Sequence, residues 1–367
     1  MSVAEALFRP FESDGLSLPN RVVMAPMTRR RSPSGIPTSQ VADYYARRAA
    51  ENVGLVITEG VAINRPGAVD SSDIPSFFGE ALASWREVAA QVHKAGAKIF
   101  PQLWHVGATE SRAAHWVEND PRIESPSGLN APEAPLGRVM SESDIADTIA
   151  AFAQAARDAQ TIGFDGVEIH GAHGYLIDQF FWAKTNVRAD AYGGESLAAR
   201  TRFAVEVVKA IREAVGQDFP VSFRFSQFKQ QDYSAVLANT PDELSTLLEP
   251  LADAGVSIFH GSQRRFWEPV FEGSDLNLAG WAKRLTGRTS IAVGSVGLSG
   301  EFASNWSGEV SQPTSIDKLL ERLDAREFDL IAVGRALLND PQWATKIAAN
   351  RASELKPFQI SSLETYY

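Results

Sequence analysis

Eight short runs rich in Val, Ile and Phe punctuate the chain, and longer stretches separate them, most with helical periodicity. The runs are Val22–Ala25, Leu55–Thr58, Lys98–Leu103, Gly166–His170, Val221–Phe225, Ser257–His260, Ser290–Val293 and Leu330–Val333. Strands that are apolar along their whole length must be covered on both faces, which leaves few architectures open. Helical periodicity marks Ser84–Ala95, Ser143–Ile162, Ala199–Val215, Pro241–Ala254, Ile316–Ala325 and Pro341–Ala349. In Asn239-Thr240-Pro241 the proline suits a first helical turn behind a threonine cap. Eight strand–helix units without a shift in composition predict an α/β fold, one domain over residues 1–367, closed as a single (β/α)₈ TIM barrel. A doubly wound open sheet is the competing arrangement. Ahead of the first strand, Leu7–Arg21 carries Asp14-Gly15 between apolar stretches, which predicts a hairpin capping the barrel floor. After the third strand, Thr109–Gly137 is rich in Pro, Ser and Glu and has little periodicity, so it predicts a long loop on the side where barrels carry function.

Composition removes several kinds of chemistry. The 367 residues contain no cysteine, so a disulfide framework, a thiolate nucleophile, a cysteine-ligated zinc and a cysteine-held iron–sulfur cluster are all excluded. A net charge of −10 argues against nucleic acid or an anionic membrane surface as partner. No apolar run approaches the roughly 18 residues of a membrane span, and Met1–Phe11 lacks the basic start of an export signal. The expectation is a cytoplasmic protein acting on a small molecule, with assembly into a homo-oligomer left open.

In a parallel barrel, chemistry gathers at the C-terminal ends of the strands. Pro26-Met27-Thr28-Arg29 follow the first run, Glu59 and Gly60 the second, and Gln102-Leu103-Trp104-His105 close the third. The fourth ends in His170-Gly171-Ala172-His173-Gly174-Tyr175. Arg224 lies in the fifth, His260-Gly261 end the sixth, Gly294-Ser295-Val296-Gly297 follow the seventh and Gly334-Arg335 the eighth. Glycines after the last two strands, together with an arginine, match the place where barrels often bind phosphate; tight turns alone would also use them. The spacing of Gly294, Gly297 and Gly300 is not that of a dinucleotide-binding turn.

His170 and His173 can aim two N–H donors at one carbonyl or nitro oxygen, and Tyr175 offers a phenolic proton beside them. The competing readings are a metal pair lacking an evident third ligand, structural histidines, and a tyrosine that only packs. Arg224 would stabilise negative charge on a bound ring, or else pair with a core carboxylate. Gln102 can read a uracil-like edge, Thr28 offers a hydroxyl to the same ring, and Trp104 supplies a flat wall.

These motifs resemble those of the Old Yellow Enzyme family of flavin oxidoreductases, in order from about Leu7 to Pro341. The matching segments are Asn20–Arg29, Gln102–His105, Glu168–Leu176, Arg188–Gly194 and Gly334–Pro341. The resemblance implies an FMN on the barrel mouth, its ring lined by Pro26, Met27, Thr28, Gly60, Gln102 and Arg224 and its phosphate held by Gly294, Ser295, Gly334 and Arg335. It implies reduction of FMN by NADPH or NADH, then hydride transfer to the β-carbon of an activated alkene such as an α,β-unsaturated carbonyl or a nitroalkene, with some nitrate esters reduced as a separate class. His170 and His173 would hold the substrate oxygen, Trp104 would line the pocket, and Tyr175 would donate the proton; no metal is implied. Ala108, Gln227 and Leu197-Ala198-Ala199-Arg200 depart from the family pattern. In some relatives the C-terminal tail enters a neighbouring subunit's pocket, and Tyr366-Tyr367 are candidates for that. The rivals are a barrel aldolase or hydrolase on a phosphorylated substrate, which needs a lysine or metal cluster at the strand ends, and a non-catalytic flavin-binding protein.

Overall fold

The computed structural model describes residues 5–13, 15–109 and 122–367. Two strands precede the barrel, β1 (Phe11–Ser13) and β2 (Leu16–Leu18), paired antiparallel with Phe11 opposite Leu18. Then come β3 (Val22–Met24), β4 (Leu55–Ala62) and β5 (Lys98–Trp104), followed by four strands of two or three residues, β6 (Glu124–Ser125), β7 (Leu129–Ala131), β8 (Ala134–Pro135) and β9 (Arg138–Val139). The last five are β10 (Val167–His170), β11 (Val221–Ser226), β12 (Ile258–Ser262), β13 (Thr289–Val293) and β14 (Leu330–Val333). β3, β4, β5 and β10 to β14 form one closed barrel in chain order, every pairing parallel. The doubly wound alternative is overturned by closure: β14 pairs with β3, with Val333 opposite Met24.

The barrel strands are apolar throughout because each contributes to two cores. Val23, Leu55, Ile57, Phe100, Ile258, Ile291 and Leu330 pack together inside the barrel, and Phe11, Leu16 and Leu18 of the hairpin join that same cluster. The predicted hairpin therefore plugs the floor; Asp14 itself lies outside the described residues. Alternate residues such as Val22, Val56, Ile99, Ile169 and Phe223 face outward into the helical layer. Each such side chain, fully buried, stabilises the fold by roughly 1.5–3 kcal/mol.

The predicted helices are present with ends shifted by only a few residues. Glu142–Ile162 begins with a capping box between Ser141 and Asp144 and ends at Gly163, whose φ of 96° only glycine adopts freely. Pro241–Ala254 starts as expected, with the Thr240 side chain accepting the Glu243 N–H. Two helices of nine or more residues were not expected, Ser39–Ala49 and Leu278–Thr286, nor were several shorter ones such as Leu176–Phe181. The stretch expected as one helix over Ala199–Val215 is two, Leu197–Arg200 and Arg202–Val215, meeting at Thr201.

After β5 the expected long loop is partly built: β6 pairs with β9 and β7 with β8. Arg188 pins this excursion to the barrel by donating to the Pro126 and Met140 carbonyls at 2.7 and 2.6 Å. Among the described residues no helix is long and apolar enough to cross a membrane.

Candidate active site

His170 closes β10 directly opposite Arg224 of β11, so an imidazole and a guanidinium leave the barrel mouth side by side. The chain then turns sharply: His173 has φ 64° and Gly174 φ 78°. A histidine in this left-handed region costs about 1–2 kcal/mol, so the turn needs anchors. Ser226 at the end of β11 accepts the His173 backbone N–H at 3.0 Å, and Asp178 accepts that of Gly174 at 2.7 Å. Tyr175 then enters the short helix Leu176–Phe181.

These anchors bring the predicted rings together. His170 lies 5.2 Å from His173 and 5.0 Å from Tyr175, edge-on to both. Trp104 meets Tyr175 edge-on at 4.9 Å and is near-parallel to His170 at 6.3 Å. His173 and Tyr175 stay partly exposed. Trp104 lies flat where Gly60 leaves room, since a β-carbon at Gly60 would stand 2.5 Å from the indole. A register shift in β4 between Ile57 and Gly60 accompanies that approach.

Beneath the rings lies a buried polar network. Glu168 accepts from Gln102 at 2.8 Å and from Ser222 at 3.0 Å, and sits 2.8 Å from His260 Nδ1. Burial alone would raise the Glu168 carboxyl, but His260, Arg224 and Gln102 together hold it below the usual range. Arg224 forms no carboxylate ion pair among the described residues; its Nη2 donates to Ser262 Oγ at 3.3 Å, and its buried Nε has no partner there. The paired-arginine reading is therefore not what the structure shows. Burial, then the Arg224 charge, pushes both His170 and His173 well below the usual histidine range, so both are neutral. Burial lifts the Tyr175 phenol to about 12, against a hydrogen bond from Gln230.

The ends of β13, β14 and β3 form the other side of the mouth. Gly294 has φ 141° and Ser295 φ 49°. A β-carbon on Gly294 would stand 2.5 Å from the Gln263 carbonyl oxygen. Arg335 donates to Ser295 Oγ at 3.0 Å and the Gly300 carbonyl at 2.8 Å, and also to Asn305. Burial lowers its guanidinium to about 10, and no carboxylate pairs with it among the described residues. Gly334 lies against Met27, its β-carbon position 3.5 Å from the Met27 sulfur. Pro26 is buried beside Met27, and Thr28 is exposed.

Arg224, buried, and Arg335, half-buried, have no carboxylate partner among the described residues and stand three strand positions apart on one mouth, which fits a ligand with an anionic ring at one end and a phosphate at the other. Flavin mononucleotide has that charge layout once its ring is reduced. The unpartnered Arg224 Nε is the atom in this set that most needs such an acceptor.

A family model described as the NADH:flavin oxidoreductase / NADH oxidase family matches residues 6–354. The chain belongs to this family. This NADH:flavin oxidoreductase family member is 34% identical over 361 residues to an NADH oxidase of Thermoanaerobacter brockii, covering 95% of the chain and 52% of that protein. It is 44% identical over 224 residues to a chanoclavine-I aldehyde reductase of Penicillium roqueforti, covering 60% of each. The chain thus spans little more than half the length of these two curated relatives. A solved structure of morphinone reductase in complex with tetrahydroNAD superposes with a TM-score of 0.79 at 27% identity, covering 97% of this chain and 93% of that one.

Several residues that hold this oxidoreductase's site together were not singled out from the sequence for that role. Ser226 and Ser262 end β11 and β12, so the strand-end rule that found Arg224 would have found them. Asp178 and Lys229 form a buried pair at 2.5 Å that no local pattern signals. His105, also at a strand end, is structural: it lies 3.1 Å from Glu124 and its Nδ1 accepts the Gly107 N–H.

The family departures have local partners. Gln227 staples its loop by bonding Leu237, Ala238 and the Ala238 carbonyl, Ala108 bonds Gln179 through both backbone groups, and Arg200 donates to three carbonyls. Tyr366 stacks on Tyr44 at 4.6 Å, Arg29 lies over both rings, and the Tyr367 carbonyl takes a bond from Arg48. Within the chain, the tail packs on its own barrel.

Proposed function

We propose that the protein is an FMN-dependent ene-reductase that takes NADPH or NADH as reductant and an activated alkene as substrate. The observation that carries this reading is the cluster of His170, His173 and Tyr175, each ring about 5 Å from His170, beside the buried Arg224. Pro26, Met27, Thr28, Gly60, Gln102 and Arg224 would line the flavin ring, and Gly294, Ser295, Gly334 and Arg335 would hold its phosphate. FMN held there would supply the hydride chemistry that links the reduced nicotinamide to the β-carbon of the alkene.

The chain's own residues supply the rest. Ala172 donates its N–H to His170 Nδ1 at 3.3 Å, which leaves the proton of this neutral ring on Nε2. That N–H and one from His173 are donors for a carbonyl or nitro oxygen, whose negative charge grows as the alkene is reduced; fixed neutral donors favour that charge at no reorganisation cost. A tyrosine held at about 12 keeps its proton at neutral pH and can give it to the α-carbon. Arg224 favours a reduced ring carrying negative charge. Trp104 forms a flat wall beside Tyr175 and shapes the pocket for a planar alkene.

The complex of morphinone reductase with tetrahydroNAD supports a nicotinamide reductant. A Schiff-base aldolase would need a free lysine at the mouth. Lys229, three residues past β11, is instead locked against Asp178.

The test is anaerobic reduction of 2-cyclohexenone by the FMN-loaded protein with deuterated NADPH or NADH in ordinary water, then with unlabelled reductant in D₂O. The reading predicts deuterium at the β-carbon in the first case and at the α-carbon in the second. No turnover of cyclic enones, maleimides or nitroalkenes, or label at the wrong carbon, would sink it.

A further inference from the structure

His173 can serve an oxyanion only if the nitrogen facing the mouth carries the hydrogen. Its Nε2 lies 2.8 Å from Ser262 Oγ, which commits that nitrogen to the end of β12. Phe228 stacks on the ring at 5.3 Å and sets its plane. Ser226 fixes the backbone beneath it by accepting the His173 N–H and donating to the Phe228 carbonyl. Nδ1 is therefore the nitrogen left to meet a substrate oxygen.

Which nitrogen is protonated depends on the Ser262 hydroxyl. Arg224 Nη2 donates to the same oxygen at 3.3 Å, and a guanidinium has no lone pair to accept with. One Ser262 lone pair is thus taken by a cation, while the hydroxyl hydrogen still needs an acceptor. Ser262 is buried, and among the described residues His173 Nε2 is the acceptor in reach. If Nε2 held the proton instead, two donors would face one oxygen and the buried O–H would be left unmet. Donation from Arg224 also polarises the hydroxyl and strengthens its bond to the imidazole.

We propose that the Ser262 hydroxyl donates to His173 Nε2 and fixes the ring as the Nδ1–H tautomer, which makes Ser262 a positioning residue for the oxyanion donor. The proposal rests on the reductase reading for its purpose, but the tautomer can be read without any turnover. His170 and His173 then present opposite nitrogens, Nε2 and Nδ1, to one oxygen. Burial, then the Arg224 charge, with a further contribution from Lys229, keeps the ring neutral, so only one of its nitrogens can donate.

The experiment is long-range ¹H–¹⁵N spectroscopy of the FMN-loaded, oxidised protein labelled with ¹⁵N-histidine, with His173→Gln used to assign the signal. Wild type should show His173 as Nδ1–H. Ser262→Ala should move it toward Nε2–H and weaken binding of p-cresol, whose oxygen mimics the substrate's, by about 10- to 100-fold, the value of one hydrogen bond to a charged oxygen. Ser262→Thr, which keeps the hydroxyl, should restore both. An Nε2–H signal in wild type, or an unchanged tautomer in Ser262→Ala, would overturn the assignment. An Nδ1–H signal in a protein that reduces no activated alkene would sink the reductase reading and leave the Ser262 assignment standing.

Discussion

The Lys229 ammonium lies 2.5 Å from the Asp178 carboxylate, and water reaches neither side chain. The other Asp178 oxygen accepts the Gly174 N–H, so this pair is the foundation of the left-handed turn that sets His173 and Tyr175. A buried ion pair adds little net stability over apolar residues of the same shape, but removing one partner strands the other charge.

Lys229→Met should therefore destabilise the protein by about 3–5 kcal/mol, read by urea unfolding. Adding Asp178→Asn to it should recover much of the loss, because no naked carboxylate remains. A loss under about 1 kcal/mol, in the range of surface pairs, would show that the turn stands without this anchor.

Arg335, half-buried, is the cation on the other side of the mouth. Arg335→Met should weaken FMN binding by about 10- to 100-fold, the value of one or two charge-assisted hydrogen bonds. Riboflavin, which lacks the phosphate, should bind both proteins alike. Equal losses for the two flavins would assign Arg335 to holding Ser295, Gly300 and Asn305 in place rather than to a phosphate.

Glu59 carries a pH dependence of its own. Burial raises its carboxyl to about 7, against the Arg29 and Arg30 backbone N–H groups that favour the charged form. The folded protein then binds this proton more tightly than the unfolded chain does, so stability from this group is fully present below about pH 4.5. It is lost as pH rises through 7. Glu59→Gln should stabilise the protein by about 1–3 kcal/mol at pH 8 relative to its effect at pH 5, measured by denaturant unfolding at both. An effect of the same size and sign at the two pH values would contradict the raised carboxyl.

The barrel was legible because its strands are buried on both faces, so each prints as an unbroken apolar run. The ends slipped where polar residues interrupt: Glu59 and Gly60 cut the run that continues to Ala62. The helix Ser39–Ala49 was missed because its buried face is made of Val41, Tyr44, Tyr45, two alanines and Arg48, which reads as mixed rather than apolar. Arg48 is buried all the same, satisfied by the Tyr44, Leu337 and Leu338 carbonyls.

The candidate site divides in the same way. His170 ends β10, His173 and Tyr175 stand just past it, and Arg224 lies two residues short of the end of β11, all near where barrel geometry says to look. Their supports come from distant sequence. Ser262 reaches His173 across 89 positions and Lys229 reaches Asp178 across 51, and such pairings exist only once the barrel has closed.

The central claim is that Tyr175 is the proton donor of an alkene reduction, and stopped-flow study of the two half-reactions in Tyr175→Phe tests it most directly. Oxidation of the reduced enzyme by 2-cyclohexenone should slow by roughly 10²–10⁴-fold, as for a lost general acid, while reduction of the flavin by NADPH stays close to wild type. Equal slowing of both halves, or no slowing of either, would contradict it.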